Sequence, residues 1–177
     1  AKNHMVVMPD ADLDQAVDAL IGAGYGSAGE RCMAISVAVL VGDVADRLLP
    51  KLQARAEQLV IKNGVNLDAE MGPIVTAAAH QRITGYIDLG VEEGATLLVD
   101  GPSFTGAQAG SGCEQGFCIG GPVFDHVSPA IRLYNQELFG HVLTSAPVNV
   151  LAEALPMIHV PRFHTDLVLV LPLSLRS

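Results

Sequence analysis

Residues 25–36 read Tyr25-Gly-Ser-Ala-Gly-Glu-Arg-Cys-Met-Ala-Ile-Ser36. Before this stretch, Leu13, Val17, Leu20 and Ile21 recur at helical spacing and mark one apolar face. Four glycines between Gly22 and Gly29 then break the helix. After it, Ala34 to Val41 is rich in β-branched residues and reads as a central strand. An amphipathic helix that breaks at glycines and re-emerges as a buried strand is the joint of an α/β protein. Cys32 sits on that joint, following a flexible turn and preceding a rigid strand, so its side chain can face a cleft.

Further out, the alternation continues. His4 to Met8 is a short apolar run closed by Pro9 and reads as a buried strand, and Asp10-Ala-Asp-Leu-Asp14 offers cap and first-turn carboxylates that predict a helix from near Asp10. Asp43 to Leu59 carries Leu48, Leu49, Leu52, Ala56 and Leu59 at helical period. Asn63 to Pro73 reads as loop, Thr76 to Glu93 as an amphipathic helix ending at Gly94, and Ala95 to Val99 as a strand. Gly101 to Gly116 should be surface loop, with short strands at Val123 to His126 and Val142 to Val150. The expectation is a mostly parallel sheet with crossover helices.

Composition narrows the function classes. The 177 residues suit one domain or a piece of something larger, and 50% hydrophobic content with 16% charged excludes a disordered chain. A net charge of −9 argues against a basic nucleic-acid face, so no nucleic acid is expected as a partner. The longest apolar run, Leu167 to Leu175, is far short of the roughly 20 residues that span a bilayer, so no membrane is expected either. Three cysteines are too few for a secreted disulfide framework. Cys113 and Cys118 are therefore expected to be incidental thiols in a reducing compartment, cytoplasmic or, in a eukaryote, the mitochondrial matrix. Six scattered histidines show no metal-ligand spacing, and no metal is expected. The opening residues show no targeting signal, and the chain is expected to begin mid-protein.

A cysteine thiol ionises near pH 8.5, and a neighbouring cation such as Arg31 raises the thiolate share, so Cys32 is a candidate nucleophile. Taken alone, Cys32 is also readable as a small buried apolar residue, and Arg31 as a surface ion-pair partner.

Four stretches in order decide between these readings: Met8-Pro-Asp-Ala-Asp-Leu-Asp14, Gly29-Glu-Arg-Cys-Met-Ala34, Met71-Gly-Pro73 and Gln136-Glu-Leu-Phe-Gly140. Together they resemble the aldehyde dehydrogenase superfamily, and the opening Ala1-Lys-Asn-His4 with Glu30-Arg-Cys-Met-Ala34 resembles its CoA-acylating semialdehyde branch. The resemblance covers residues 1–160 and implies a partial Rossmann-like catalytic domain, with residues 161–177 a divergent tail. It further implies a coenzyme-binding domain that this chain does not contain. It makes Cys32 the nucleophile that attacks an aldehyde, with the Cys32 backbone N–H among the oxyanion donors. It makes Arg31 the partner of a substrate carboxylate, which a planar guanidinium meets bidentately. Glu137 would hold the nicotinamide ribose of NAD and Phe139 would lie beside the nicotinamide.

The implied reaction oxidises methylmalonate or malonate semialdehyde to a Cys32 thioester, passed after decarboxylation to coenzyme A as co-substrate. The full-length family is homo-oligomeric. The chain departs from the family at His141, where proline is usual, and at Gln136, where an acid is common. Two rival expectations are a hydrolytic dehydrogenase and an inactive truncated or frame-shifted remnant that at most associates with another chain. The tail is expected to be exposed or poorly packed.

Overall fold

Strong helix caps and β-branched runs at regular intervals build the sheet. The computed structural model describes residues 1–103, 112, 113 and 116–159, together with the backbone of 167–170. The elements are β1 (Asn3–Val7), α1 (Leu13–Tyr25), a 3-10 turn (Gly26–Gly29), β2 (Ile35–Val41), α2 (Val44–Glu57), α3 (Ala77–Glu92), β3 (Thr96–Val99), β4 (Val123–Asp125), α4 (Arg132–Asn135), β5 (Leu143–Val148), α5 (Leu151–His159) and β6 (Leu167–Val170). Among the described residues they form one six-stranded sheet in the order β3-β4-β5-β2-β1-β6. Neighbours pair in parallel except β3 with β4. The α/β expectation with a mostly parallel sheet therefore holds.

Two of the long helices begin as local chemistry dictates. Asp12 caps α1, its carboxylate accepting from the Asp14 and Gln15 backbone N–H groups at 3.0 and 3.1 Å. Thr76 caps α3 through the Ala79 N–H at 3.1 Å. Central strand β2 is buried at every position but Ser36, because helices pack on it and neighbours flank it on both edges. Helices α1 and α2 pack against each other and against β2, while α3 packs on α4 and β3. The core runs continuously from Met5 and Val39 through Leu20, Leu48 and Leu52 to Phe124 and Leu143.

Four expectations need correction. Helix α1 does not break at Gly22 but continues to Tyr25, the break falling at Gly26–Gly29; burial of Leu20, Ile21 and Tyr25 against the core outweighs the glycine penalty. Helix α5, unforeseen because Pro156 interrupts its pattern, turns Ala154 and Ile158 into the core. Part of the tail is paired: the backbone of Leu167–Val170 pairs in parallel with His4–Val7, giving β1 a neighbour on its outer edge, while the rest of the tail lies outside the described residues. Cys113 and Cys118 are not incidental thiols but a disulfide. The turn closed by Gly116 N–H on the Cys113 carbonyl brings their Cα atoms to 5.8 Å, within bonding reach. Much of the expected 101–116 loop lies outside the described residues.

Leu48 is fully buried in α2. Leu48→Ala should lower the unfolding free energy by about 2 to 5 kcal/mol, read from urea titration, because the cavity adds to the lost transfer energy.

Candidate active site

Three chain segments converge at the N-terminal ends of β1, β2 and β5: residues 1–3, the turn 26–34 and residues 133–141. The turn is unusual in its backbone. Ser27, Ala28 and Gly29 take φ values of 51°, 53° and 67° in succession. Left-handed backbone costs a non-glycine residue about 1 to 2 kcal/mol, so Ser27 and Ala28 hold it only because their surroundings enforce it. Gly29 has a second reason to lack a side chain: a Cβ there would lie 2.6 Å from the Gly140 carbonyl carbon and 2.7 Å from the His141 nitrogen. Gly140 in turn packs on the Ile83 side chain, which would have to shift to admit a Cβ there. The turn preceding Cys32 and the segment 137–141 thus touch backbone to backbone.

Cys32 is exposed and its thiol is reduced. This removes the reading of Cys32 as a buried apolar residue. Its carbonyl, and that of Ala34, accept from Asn3 Nδ2 at 2.9 and 3.1 Å. Upstream, Glu30 accepts from the Val75 N–H at 3.2 Å, tying the turn to the loop before α3. Arg31 is exposed, and its Nη2 donates to the Gly22 and Ala23 carbonyls at 2.7 and 3.3 Å. Its guanidinium therefore closes the C-terminal end of α1, where the helix dipole favours a cation. That contact, rather than an ion pair with Glu30, is what the structure gives Arg31.

Glu137 and Phe139 are brought to the same place by the Gly29–Gly140 contact. The Glu137 carboxylate is partly exposed and accepts from the Ala1 amino group. Phe139 is 41% exposed and also left-handed, with φ 48°. Exposed apolar side chains at Met33, Val75 and Phe117 belong to segments around the same turn.

Beneath this surface lies a polar framework that the sequence did not announce. Lys2 is fully buried and donates to the Leu133 carbonyl at 2.8 Å; burial pushes its ammonium down to about 8. His4 Nε2 meets the Tyr134 hydroxyl at 2.7 Å, and burial raises the Tyr134 phenol to about 12. The signal available was polarity where a strand begins, at Lys2-Asn3-His4, but sequence alone does not say what such groups bind. His141 is buried too, its Nδ1 3.3 Å from the Ala28 carbonyl. Among the described residues no group of three acidic, cysteine or histidine side chains is arranged to hold a metal ion.

The sequence of this chain is similar to known proteins over nearly its whole length. The model of the aldehyde dehydrogenase family matches residues 1–159. The malonate-semialdehyde dehydrogenase of Pseudomonas aeruginosa is 55% identical over 160 residues, which are 90% of this chain and 31% of that protein. The protein of that name from Halalkalibacterium halodurans is 41% identical over 163 residues, 92% of this chain and 32% of its own length. A crystal structure from Sinorhizobium meliloti, described as a methylmalonate-semialdehyde dehydrogenase complexed with NAD, superposes with a TM-score of 0.90 at 49% identity, over 96% of this chain and 34% of that one. The methylmalonate-semialdehyde dehydrogenase of Oceanimonas doudoroffii gives 0.83 at 39% identity, over 94% and 35%. The chain spans about a third of the length of the curated relatives it matches.

Brief iodoacetamide labelling without reductant, mapped by mass spectrometry, should modify Cys32 alone, because the other two thiols are bonded to each other; label on Cys113 or Cys118 before reduction would contradict that bond. A pH dependence follows from His141. Burial pulls its imidazole down to about 4, against the opposing pull of the Ala28, Gly120 and Ile119 carbonyls, and His80 adds to the lowering. In the unfolded chain the ring protonates near pH 6.5. The stability that the neutral ring confers is full above that pH and is lost as pH falls towards 4, by roughly 3 kcal/mol. Urea titrations across this window should show the loss in the natural chain and a flatter slope in His141→Phe.

Proposed function

The chain belongs to the aldehyde dehydrogenase family, and from that premise we propose that it forms the nucleophile-bearing part of an NAD-dependent dehydrogenase for malonate or methylmalonate semialdehyde, with coenzyme A as acyl acceptor. The observation that carries the reading is the exposed Cys32 on a turn pressed against the Glu137–Gly140 segment. A nucleophile and the side chains suited to a dinucleotide thereby share one surface. The names of the relatives support the substrate class.

In this reading the Cys32 thiolate adds to the aldehyde carbon, forming a C–S bond and an oxyanion. The oxyanion collapses to a thioester as the aldehyde hydrogen leaves with its electron pair. NAD, when bound, supplies the acceptor for that hydride. The residues present fit the group: Glu137 offers a partly exposed carboxylate to a pair of ribose hydroxyls, and Phe139 an exposed ring to a flat heterocycle. The acyl chain loses its carboxylate as carbon dioxide, the C–C electron pair passing into a thioester enolate that takes a proton from water; the thiol of coenzyme A then gives up its proton to water and displaces Cys32, which returns as thiolate. Arg31 receives the substrate carboxylate before that loss. Both of its helix contacts use Nη2, so the planar head is held by that group and Nη1 is left to meet the carboxylate. A pre-oriented donor loses less entropy on binding than a mobile one.

Grafting residues 1–159 in place of the matching segment of the Pseudomonas aeruginosa relative tests the proposal. NADH should form with malonate semialdehyde, and Cys32→Ala should cut kcat/KM by at least about a thousandfold. Arg31→Gln should cost about 2 to 5 kcal/mol of transition-state binding for malonate semialdehyde and far less for propanal, which has no carboxylate to leave unpaired. An equal loss with both substrates would assign Arg31 to the turn alone, and a graft without activity would remove Cys32 from the nucleophile's role.

A further inference from the structure

Besides the tie from Glu30 to Val75, three contacts pin the turn that presents Cys32. Arg31 fastens it to the end of α1, and Asn3 fastens the carbonyls of Cys32 and Ala34 to the start of β1. The third fastening comes from His141, whose Nδ1 lies 3.3 Å from the Ala28 carbonyl. Of the three, it alone originates in the segment that carries Glu137 and Phe139. We propose that His141 is a positioning residue for Cys32: its Nδ1–H, donated to Ala28, locks the left-handed turn and sets it against the Glu137–Gly140 segment. The proposal rests on the reading of Cys32 as the nucleophile.

The contact requires one tautomer, because a carbonyl oxygen only accepts and donation to Ala28 needs the proton on Nδ1. Nε2 would then carry the lone pair; it makes no hydrogen bond among the described residues, although the Gly120 and Ile119 carbonyls act on the same ring. Ala28 is itself 1% exposed, and the bond that closes the turn, Glu30 N–H to the Ser27 carbonyl at 3.0 Å, leaves the Ala28 carbonyl to His141. Without that donor a buried carbonyl loses its partner at a residue already held in a strained conformation. The ring has no room to turn elsewhere. His141 is 1% exposed, its ring centroid is 6.4 Å from that of Tyr25, and its backbone nitrogen abuts Gly29. Tyr25 is in turn fixed by its hydroxyl, which donates to the Pro122 carbonyl at 3.0 Å.

A first measurement on the natural chain needs no variant. Nitrogen-15 NMR of the imidazole at neutral pH should show the Nδ1–H tautomer, and an Nε2–H tautomer would overturn the proposal. The second compares His141→Asn, whose side-chain amide nitrogen stands where Nδ1 stands, with His141→Gln, which places its donor farther out, and His141→Leu, which has none. Amide hydrogen exchange at Glu30 and Ala34 should be about tenfold faster in His141→Gln and His141→Leu and within about twofold of natural in His141→Asn. The midpoint of the pH profile of Cys32 alkylation should move in the first two and be restored in the third. Exchange at Leu48 and Leu52 in α2 serves as the global reference. Equal changes in all three variants, no change in any, or a matching acceleration in α2 would each show an ordinary packing residue and overturn the proposal. None of these readouts requires aldehyde oxidation, so a locked turn in an inactive graft would count against Cys32 as the nucleophile and not against the lock.

Discussion

A methyl group on Gly29 would stand 2.6 Å from the carbonyl carbon of Gly140, and this backbone-to-backbone approach is the constraint on which the site depends. No side chain fits between the two turns, so their separation is set by main-chain contact rather than by rotamers. Main chain is stiffer than any side chain that could have bridged the gap. The two segments that meet there hold left-handed backbone at Ser27, Ala28 and Phe139, residues that would not choose it. Strain of this kind persists only where the surroundings over-determine it, and here hydrogen bonds from Asn3, Arg31 and His141 do so.

The location of the site is uncommon for a parallel sheet. Ligands in open α/β folds usually bind outside the carboxyl ends of the strands. Cys32 precedes β2, Glu137 and Phe139 precede β5, and Lys2 precedes β1, so the constellation gathers at the amino ends. Lys2 and His4 tie the start of β1 to Leu133 and Tyr134, Asn3 ties it to the carbonyls of Cys32 and Ala34, and the buried Lys2 ammonium remains tolerable because it has a carbonyl to meet. The framework stabilises little by itself and instead fixes which loop lies beside which.

Arg31 illustrates how one residue serves both levels. Local sequence marks it as a cation beside a cysteine, and that is correct as far as it goes. In three dimensions it closes α1, and the helix carbonyls dictate where its head points. Cys113 and Cys118 show the opposite case. Spacing and number gave no reason to join them, yet the turn through Gly116 brings them within bonding distance.

By itself the sequence determined the alternation of helix and strand, the capping carboxylates within Asp10–Asp14, and the placing of Cys32 at a helix-to-strand joint, because each of these depends on residues within a few positions of one another. Apolar periodicity states which surface must be buried, and glycines state where the chain can turn. Only the tertiary structure decided that Leu167–Val170 completes the sheet beside β1, that the end of α1 receives Arg31, and that residue 29 meets residue 140. Partners more than a hundred residues apart, such as Lys2 with Leu133 or Ala28 with His141, leave no periodic trace in the chain. Their pairing is fixed by the packing of the whole sheet, since a polar group that leaves water must take whichever partner the fold brings within reach.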